Sequence, residues 1–325
     1  MRSYTSRITN FAPLLIMPLL ILSVLTPQSV RHYYVVFWSL DNSTILKSLQ
    51  EAADRGYRLV PDQGKWPLVV LEKVTGDVEP IDYLLLGTRR AATMQKEMNE
   101  ASAQGYRFAS MLGVPTEFLI AMQRDRGKVT RTHEQKILAT RRLKTLQTEL
   151  SAEVQNGFHL VGHLQTASEF WAVLERPFQS ATKHKYLLLD EYDVSQGLQK
   201  VVDRGYLLIP EQAWISAAIF EEATSDAGSI EYLVVKGRGS ETLQKRMNEA
   251  SAQGYRFVTF HYELGPVMER EKGKATRTHE YKILKAIRYK NLEKEVLAEV
   301  QKGFRIAAMQ QGMGEGTWVI MEGPD

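Results

Sequence analysis

Two histidine–glutamate pairs are the polar residues of this chain whose spacing most resembles a chemical site. Arg131-Thr132-His133-Glu134 returns as Arg277-Thr278-His279-Glu280. The helical zinc motif needs a second histidine four residues after the first, and those positions hold Ile137 and Ile283. The residues that follow each pair are typical of a strand. We therefore predict no metal site, and we place His133 and His279 at strand entrances, where they are either structural or line a binding rim.

The other histidines and motifs give no catalytic centre. His159 and His163 are four residues apart, so on a regular strand they would share one face about 13 Å apart, too far for one metal. Gly-x-Ser-x-Gly, P-loop and dinucleotide-binding motifs are absent from the sequence. The chain also has no cysteine, which excludes thiol chemistry. We predict no cofactor and no catalytic residue, so the chain is expected not to be an enzyme.

Two basic segments stand out from a composition that is otherwise ordinary. Residues 124–144 and 270–294 are rich in Lys and Arg and occupy equivalent places in the two halves of the chain. They either form solvated linkers or bind an anionic lipid surface or an acidic polymer. The net charge of +3 is too small to indicate a nucleic-acid partner. The candidate binding residues are Arg131, His133, Arg141, Arg142, Arg277, His279 and Arg288.

A glycine followed by an aromatic residue recurs six times at intervals of 48 to 52 residues. Such a period indicates one supersecondary unit copied in tandem. The six glycines are Gly56, Gly105, Gly157, Gly205, Gly254 and Gly303. Residues 98–108 recur unchanged as 247–257, so the simplest history is a triplet of modules that was later duplicated. Each glycine is expected at the left-handed C′ position of a helix, where a Cβ would be strained.

Each module is predicted to run strand, helix, strand, strand. The helices show one apolar stripe, as at Leu146, Leu150 and Val154. The predicted fold is α+β, with six tandem βαββ modules and helices on one face of antiparallel sheets. The modules could form a row or a closed ring. Residues 265–269 begin with Gly-Pro, so we expect a degenerate last strand in the fifth module, which would mark a seam.

The N-terminal residues do not belong to the repeat. Arg2 and Arg7 precede an apolar run from Phe11 to Leu25, which has the length of a secretory signal and is short for a membrane span. We therefore predict a signal peptide or a retained N-terminal anchor over 1–29. The first triplet is then 30–177 and the second 178–325. The repeats would be periplasmic or secreted, or tethered outside the membrane.

The module pattern resembles small bacterial βαββ domains of uncharacterised function whose signature is Tyr-Glu-Tyr-Lys, a helix, then Gly-Trp/Tyr-Glu-Leu. His279-Glu280-Tyr281-Lys282 and Gly303-Phe304-Arg305-Ile306 carry this resemblance. The residue after the aromatic is often Arg in this chain, as at Arg58, Arg107, Arg256 and Arg305. The resemblance implies the module fold and brings no activity.

These observations favour an exported, non-enzymatic binding or scaffold module whose partner is another exported protein or an anionic surface. One alternative is an enzyme, such as a hydrolase, with a site between the triplets that uses His133, His279, Glu134 and Glu280. Another is a membrane-tethered sensor whose basic patches bind lipid. An enzyme should break the repeat at one site with polar residues that the scaffold does not need.

Overall fold

A computed structural model describes most of the chain after residue 33, and residues Arg31–Asp325 form one compact unit. The described residues are 34–38, 41–60, 68–73, 79–113, 118–128, 133–165, 169–178, 184–213, 217–223, 229–261, 264–274, 278–286, 289–312 and 316–324. The predicted signal or anchor segment, 1–29, lies outside these ranges. Within them, no helix is long and apolar enough to cross a membrane.

The described part of the chain holds six helices and six small sheets. The helices are α1 (Asn42–Asp54), α2 (Ala91–Ala103), α3 (Leu143–Gln155), α4 (Glu191–Val202), α5 (Ser240–Ser251) and α6 (Tyr289–Gln301). The strands that precede them are β1 (Tyr34–Trp38), β4 (Ile81–Thr88), β7 (His133–Thr140), β10 (Tyr186–Asp190), β13 (Ile230–Val234) and β16 (Tyr281–Ala286). We number the repeated units one to six in this order.

Two further strands follow each helix. The second strands are β2 (Tyr57–Leu59), β5 (Arg107–Gly113), β8 (His159–Gln165), β11 (Tyr206–Ala213), β14 (Arg256–His261) and β17 (Arg305–Gly312). The third strands are β3 (Leu68–Lys73), β6 (Phe118–Asp125), β9 (Phe170–Pro177), β12 (Ala217–Glu222), β15 (Gly265–Glu271) and β18 (Gly316–Glu322). In every sheet the third strand lies between the other two and is antiparallel to both. The α+β class and the repeated organisation are thus confirmed.

The last strand of unit five is complete, so the seam expected there is wrong. β15 pairs with β13 on one side and with β14 on the other. Pro266 lacks an N–H, but its carbonyl still accepts the N–H of Val235 at 2.8 Å. The proline therefore removes one donor from a central strand without ending it.

The helices end as their sequences predict. The glycines that follow them have positive φ, from +83° at Gly56 to +96° at Gly303. In unit three the N–H of Phe158 reaches back to the carbonyl of Glu153 at 3.2 Å, and the N–H of Gly157 bonds Val154 at 3.0 Å. This pair of bonds is the Schellman arrangement, which needs a left-handed residue at the glycine.

Each hydrophobic core is shared by two consecutive units. Ile120 and Met122 of β6 pack with α2 and with Trp171 of unit three. Leu119 and Ala121, which alternate with them, pack with α1 of unit one. Helices therefore cover both faces of this sheet, and the expectation of helices on one face only is wrong. The second face is covered because the neighbouring unit supplies its own helix.

The order of contacts between units is cyclic. Helices α1 to α5 each pack against the first strand of the following unit, and α6 packs against β1. Val70 of unit one, with no exposed surface, belongs to the core built around Leu292 and Val296 of α6. The last unit thus covers the first, so the contacts describe a closed array and not an open row.

Amide side chains on helices α1, α2 and α3 attach units one to three to the edge of the next sheet. Gln147 of α3 donates through Nε2 to the carbonyl of Tyr186 at 2.9 Å, and its Oε1 accepts the N–H of Leu188 at 2.7 Å. Gln50 and Gln95 make the same pair of bonds to β4 and β7. These bonds satisfy backbone groups that an edge strand otherwise leaves open.

Candidate functional site

A row of polar side chains crosses the three strands of several of the sheets. Unit six shows this row in its complete form. In unit six, Tyr281, Glu322 and Arg305 lie side by side on adjacent strands. The Arg305 guanidinium donates to Glu322 Oε1 through Nη2 at 2.6 Å and through Nε at 3.2 Å, and the Tyr281 hydroxyl lies 3.3 Å from Glu322 Oε2. The buried carboxylate is therefore hydrogen-bonded at both oxygens and paired with a cation.

The tyrosine of this row also joins neighbouring units. The Tyr281 hydroxyl accepts the backbone N–H of Phe257 in unit five at 2.8 Å. Units two, four and five make the same bond to the unit before them. The pairs are Tyr83 with Leu59 at 2.8 Å, Tyr186 with Leu160 at 3.2 Å and Tyr232 with Leu208 at 3.2 Å.

Unit three departs from this row at two of its three positions. Gln135 stands where the tyrosine stands in units two, four, five and six, and His159 stands where Arg256 and Arg305 stand. Gln135 is 2% exposed. Its Nε2 donates to Glu175 Oε2 at 3.3 Å, and its Oε1 is buried without a hydrogen-bond partner among the described residues. We call His133, Gln135, His159 and Glu175 the unit-three site.

Histidines extend the unit-three site toward unit four. His133 Nε2 lies 3.5 Å from Glu175 Oε1. The rings of His159 and His184 have centroids 5.4 Å apart, and His184 Nδ1 bonds the Glu221 carboxylate. The histidine side chains are partly exposed, whereas Glu175 is buried. The arrangement thus places two carboxylates and three imidazoles along the junction of units three and four.

The surroundings move two pKa values of the site in opposite directions. Burial raises the pKa of Glu175, against lowering effects of His133, Gln135 and Arg107. Burial, with His184 and then His133, lowers the pKa of His159 below its ordinary value. His159 is therefore neutral at neutral pH, and Glu175 holds its proton more tightly than an ordinary glutamate does.

A groove of about 460 Å³ borders the same strand β7. Helix α2 of unit two contributes Gln95 and Asn99 to its wall. The remaining lining residues belong to unit three: Glu134, Gln135, Lys136, Glu153, Asn156, Phe158 and Arg176. Most of these side chains are polar, and Arg176 pairs with Glu134. The groove therefore offers polar groups on a wall whose exposed atoms are mostly apolar.

The candidate residues from the sequence are only partly described, and the structure gives the histidines other partners than expected. His133 lies beside Glu175 and His279 beside Glu322, each on the third strand of its own unit. Glu134 pairs with Arg176. Arg141 and Arg142 are exposed between β7 and α3. Arg131, Arg277 and Arg288 lie outside the described residues.

The two basic segments are partly neutralised by ion pairs where they are described. Arg126 pairs with Asp54 and Asp82, and Arg270 pairs with Glu231. Lys128, Lys136, Lys274 and Lys282 also make ion pairs. No observation on these segments favours a lipid-binding surface over the solvated reading.

The expectation that His159 and His163 lie on one face of their strand is wrong. The register of β8 shifts between Leu160 and Gly162, so His159 is opposite Glu175 while His163 is opposite Ala172. A bulge of one residue moves the following side chains to the other face. The two histidines therefore do not share a face.

Gln135 and Glu175 were missed because each is unremarkable in isolation, and His159 was considered only together with His163. A sequence signal existed, since Arg follows the aromatic residue in four of the six copies and unit three has His159 there. Within the described residues, no group of three or more His, Asp or Glu side chains is arranged to hold a metal ion. Comparison of the chain with protein-family models, with curated proteins and with solved structures finds no match.

Proposed function

We propose that this protein is an exported, non-enzymatic binding module in which the closed array of units acts as a rigid scaffold and unit three binds the partner. The observation that carries the proposal is the departure of unit three from the polar row of its own copies. The complete row of tyrosine, glutamate and arginine stands in units five and six. Units two and four each change one position, with Gln123 in place of the glutamate and Leu207 in place of the arginine, whereas unit three changes two.

The replaced residues cost the scaffold stability and therefore need another explanation. Where tyrosine and arginine are present, as in unit six, the carboxylate and the neighbouring backbone N–H are both satisfied. Gln135 leaves a buried acceptor unpaired, which typically costs about 1–3 kcal/mol. Local violations of an otherwise consistent design are expected at functional sites.

We also propose the finer architecture and location on the evidence of the sequence. Six βαββ modules descended from a duplicated triplet, 30–177 and 178–325, account for the long identities between the halves. The resemblance to small bacterial βαββ domains supports this module. An N-terminal signal or anchor over 1–29 accounts for the apolar run, and it places the repeats in the periplasm or outside the cell, where the partner is another exported protein.

Restoring the repeat consensus tests whether the unit-three site serves function. The double variant Gln135→Tyr/His159→Arg supplies the hydroxyl and the guanidinium that unit six has. We expect a higher melting temperature than the wild type, because the unpaired buried acceptor Gln135 Oε1 is removed and the Glu175 carboxylate gains a guanidinium partner. Tyr281→Gln/Arg305→His makes the opposite exchange in unit six and should lower the melting temperature. A destabilised Gln135→Tyr/His159→Arg protein would mean that the residues of unit three are structural.

Fractionation of the native host tests the location. A mature mass without about thirty residues in the soluble periplasm or medium corresponds to a cleaved signal. A full-length mass in the membrane fraction corresponds to an anchor. Full-length protein in the cytosol would contradict export in either form.

The same geometry gives an enzyme as the second candidate. His159 with its lowered pKa and Glu175 with its raised pKa form a pair of the kind used as base and acid. The residues to test are therefore His159 and Glu175, together with His133. Hydrolysis of a chromogenic ester by the wild type that is lost in both His159→Gln and Glu175→Gln, with folding retained, would favour this candidate over simple binding.

A further inference from the structure

The copies of the polar row show which chemical group its carboxylate accepts. Glu269 in unit five receives Arg256 through Nε at 3.0 Å and Nη2 at 2.6 Å. Glu322 in unit six receives Arg305 through the same two nitrogens at 3.2 and 2.6 Å. In both units one carboxylate oxygen therefore binds the Nε–Nη2 edge of a guanidinium.

Unit three keeps this carboxylate but not the guanidinium. His159 is the Cα partner of Glu175, as Arg256 is of Glu269. Its ring lies beside that of His184 in unit four, with the centroids 5.4 Å apart and the ring planes inclined at 32°. Glu175 Oε2 accepts Gln135 Nε2, while Gln135 Oε1 is a buried acceptor with no partner among the described residues. The site thus offers two adjacent acceptors, one of them charged, to a group that carries several N–H donors.

We propose that the unit-three site binds a guanidinium group from the partner, as carried by an arginine side chain, with Glu175 and Gln135 Oε1 as its acceptors. The inference rests on the binding function proposed above and adds the chemical class of the ligand. An arginine of the partner would take the position that Arg256 and Arg305 occupy in units five and six. Arginine is also enriched at the centres of protein interfaces.

The charges around the site are compatible with a cation. His159 is neutral at neutral pH because burial, His184 and His133 lower its pKa. Glu221 adds a second carboxylate on the side of unit four, where it bonds His184. Arg107, an exposed side chain of unit two, acts on Glu175 through its charge, without a hydrogen bond to it in the described part of the chain. We therefore expect Arg107 to compete with a ligand guanidinium for Glu175.

Titration with small arginine analogues tests the inference directly. L-Arginine is added to the full-length protein at pH 7.5, and the imidazole signals of His133 and His159 are followed by NMR. L-Citrulline, which has the same shape but no charge, is the matched probe. We expect saturable shifts with arginine and at least tenfold weaker binding of citrulline. Arg107→Ala should bind arginine at least threefold more tightly.

Variants separate this site from general attraction of cations. Glu175→Gln and His159→Arg should each weaken arginine binding at least tenfold, the second because its own guanidinium takes the position. Glu249→Gln makes the same charge change on exposed α5 and should leave binding unchanged. If His159→Arg does not fold, Glu175→Gln with Glu249→Gln still decides the result.

Two outcomes would overturn the inference. Equal binding of arginine and citrulline would mean that the charge of the guanidinium plays no part. Shifts that persist in Glu175→Gln, or no binding of arginine at all, would exclude Glu175 as the acceptor. The proposed binding function would then still be judged by the melting temperature of Gln135→Tyr/His159→Arg, because that measurement needs no ligand.

Discussion

Single side chains decide how each junction between units is closed. A tyrosine hydroxyl accepts a backbone N–H of the preceding unit in units two, four, five and six. Unit three has Gln135 at this position, and Glu175 instead lies close to the Phe108 N–H of unit two. The difference of one residue therefore replaces the tyrosine bond of this junction and leaves the buried acceptor Gln135 Oε1 unpaired.

The lowered pKa of His159 predicts a specific loss of stability in acid. Its proton is bound more weakly in the folded than in the unfolded chain, so the free energy of unfolding falls as the pH drops below about 6.5. His159→Asn removes this contribution and leaves the neighbouring His133, His184, Glu175 and Glu221 in place. Chemical denaturation at pH 8, 7, 6 and 5 should show that the free energy of unfolding of the variant rises relative to that of the wild type toward pH 5. A constant difference across this range would contradict the assignment.

At the scale of elements, the amide hydrogen bonds between a helix and the next strand make a measurable contribution to stability. Gln147→Leu keeps the size of the side chain but leaves the carbonyl of Tyr186 and the N–H of Leu188 without their partner. We expect a loss of about 1–3 kcal/mol for each buried group left unsatisfied. Hydrogen exchange at Leu188 should become faster. Thr148 is an exposed residue next to Gln147 on α3, and Thr148→Ala is the control. It should change the free energy of unfolding and the hydrogen exchange at Leu188 only slightly.

The approach of β8 to β5 depends on a glycine. A Cβ at Gly162 would lie 2.3 Å from Phe108 Cζ, so Gly162→Ala must displace the ring or the strand. We expect a destabilisation of about 1–3 kcal/mol, as for other overpacked cores. A Cβ at Gly197 of α4 would have no atom within 4 Å. Gly197→Ala should therefore stabilise the helix by about 0.5–1 kcal/mol. Equal effects of the two changes in thermal denaturation would refute the close contact.

At the scale of the whole molecule, the cyclic order of contacts makes the first and last units interdependent. Val70 of unit one is fully buried in the core of unit six. Val70→Ala removes two methylene equivalents there, and we expect a loss of at least about 1.5 kcal/mol. Because every unit shares a core with both neighbours, the loss should shift one cooperative transition. Separate early melting of unit six, seen by hydrogen exchange, would show instead that closure is weak.

The helices, the strands and the helix ends could largely be predicted from the sequence. The stripe of Leu146, Leu150 and Val154 is buried as predicted, and His133 begins a strand. Gly157 has the positive φ that its position after the helix requires. These features depend on contacts within a few residues, which a periodic pattern records directly.

The site could be predicted only in part. His133 was identified, but its partner Glu175 is 42 residues away in sequence and is brought next to it by strand pairing. The bulge in β8 also reversed the expected face of His163, because one inserted residue changes the alternation without leaving a mark in the sequence.

The sequence by itself determined the repeat, the helices with their glycine ends, and the α+β class, since these follow from local propensity and period. Only the tertiary structure decided that the units close into a cycle, that helices cover both faces of a sheet, and that Gln135, His159 and Glu175 meet in unit three. The physical reason is that these properties depend on which surfaces of distant segments pack together. Modules of one fold can pack in the same way at every junction, so their own sequences do not show where the array ends or which copy differs in its contacts.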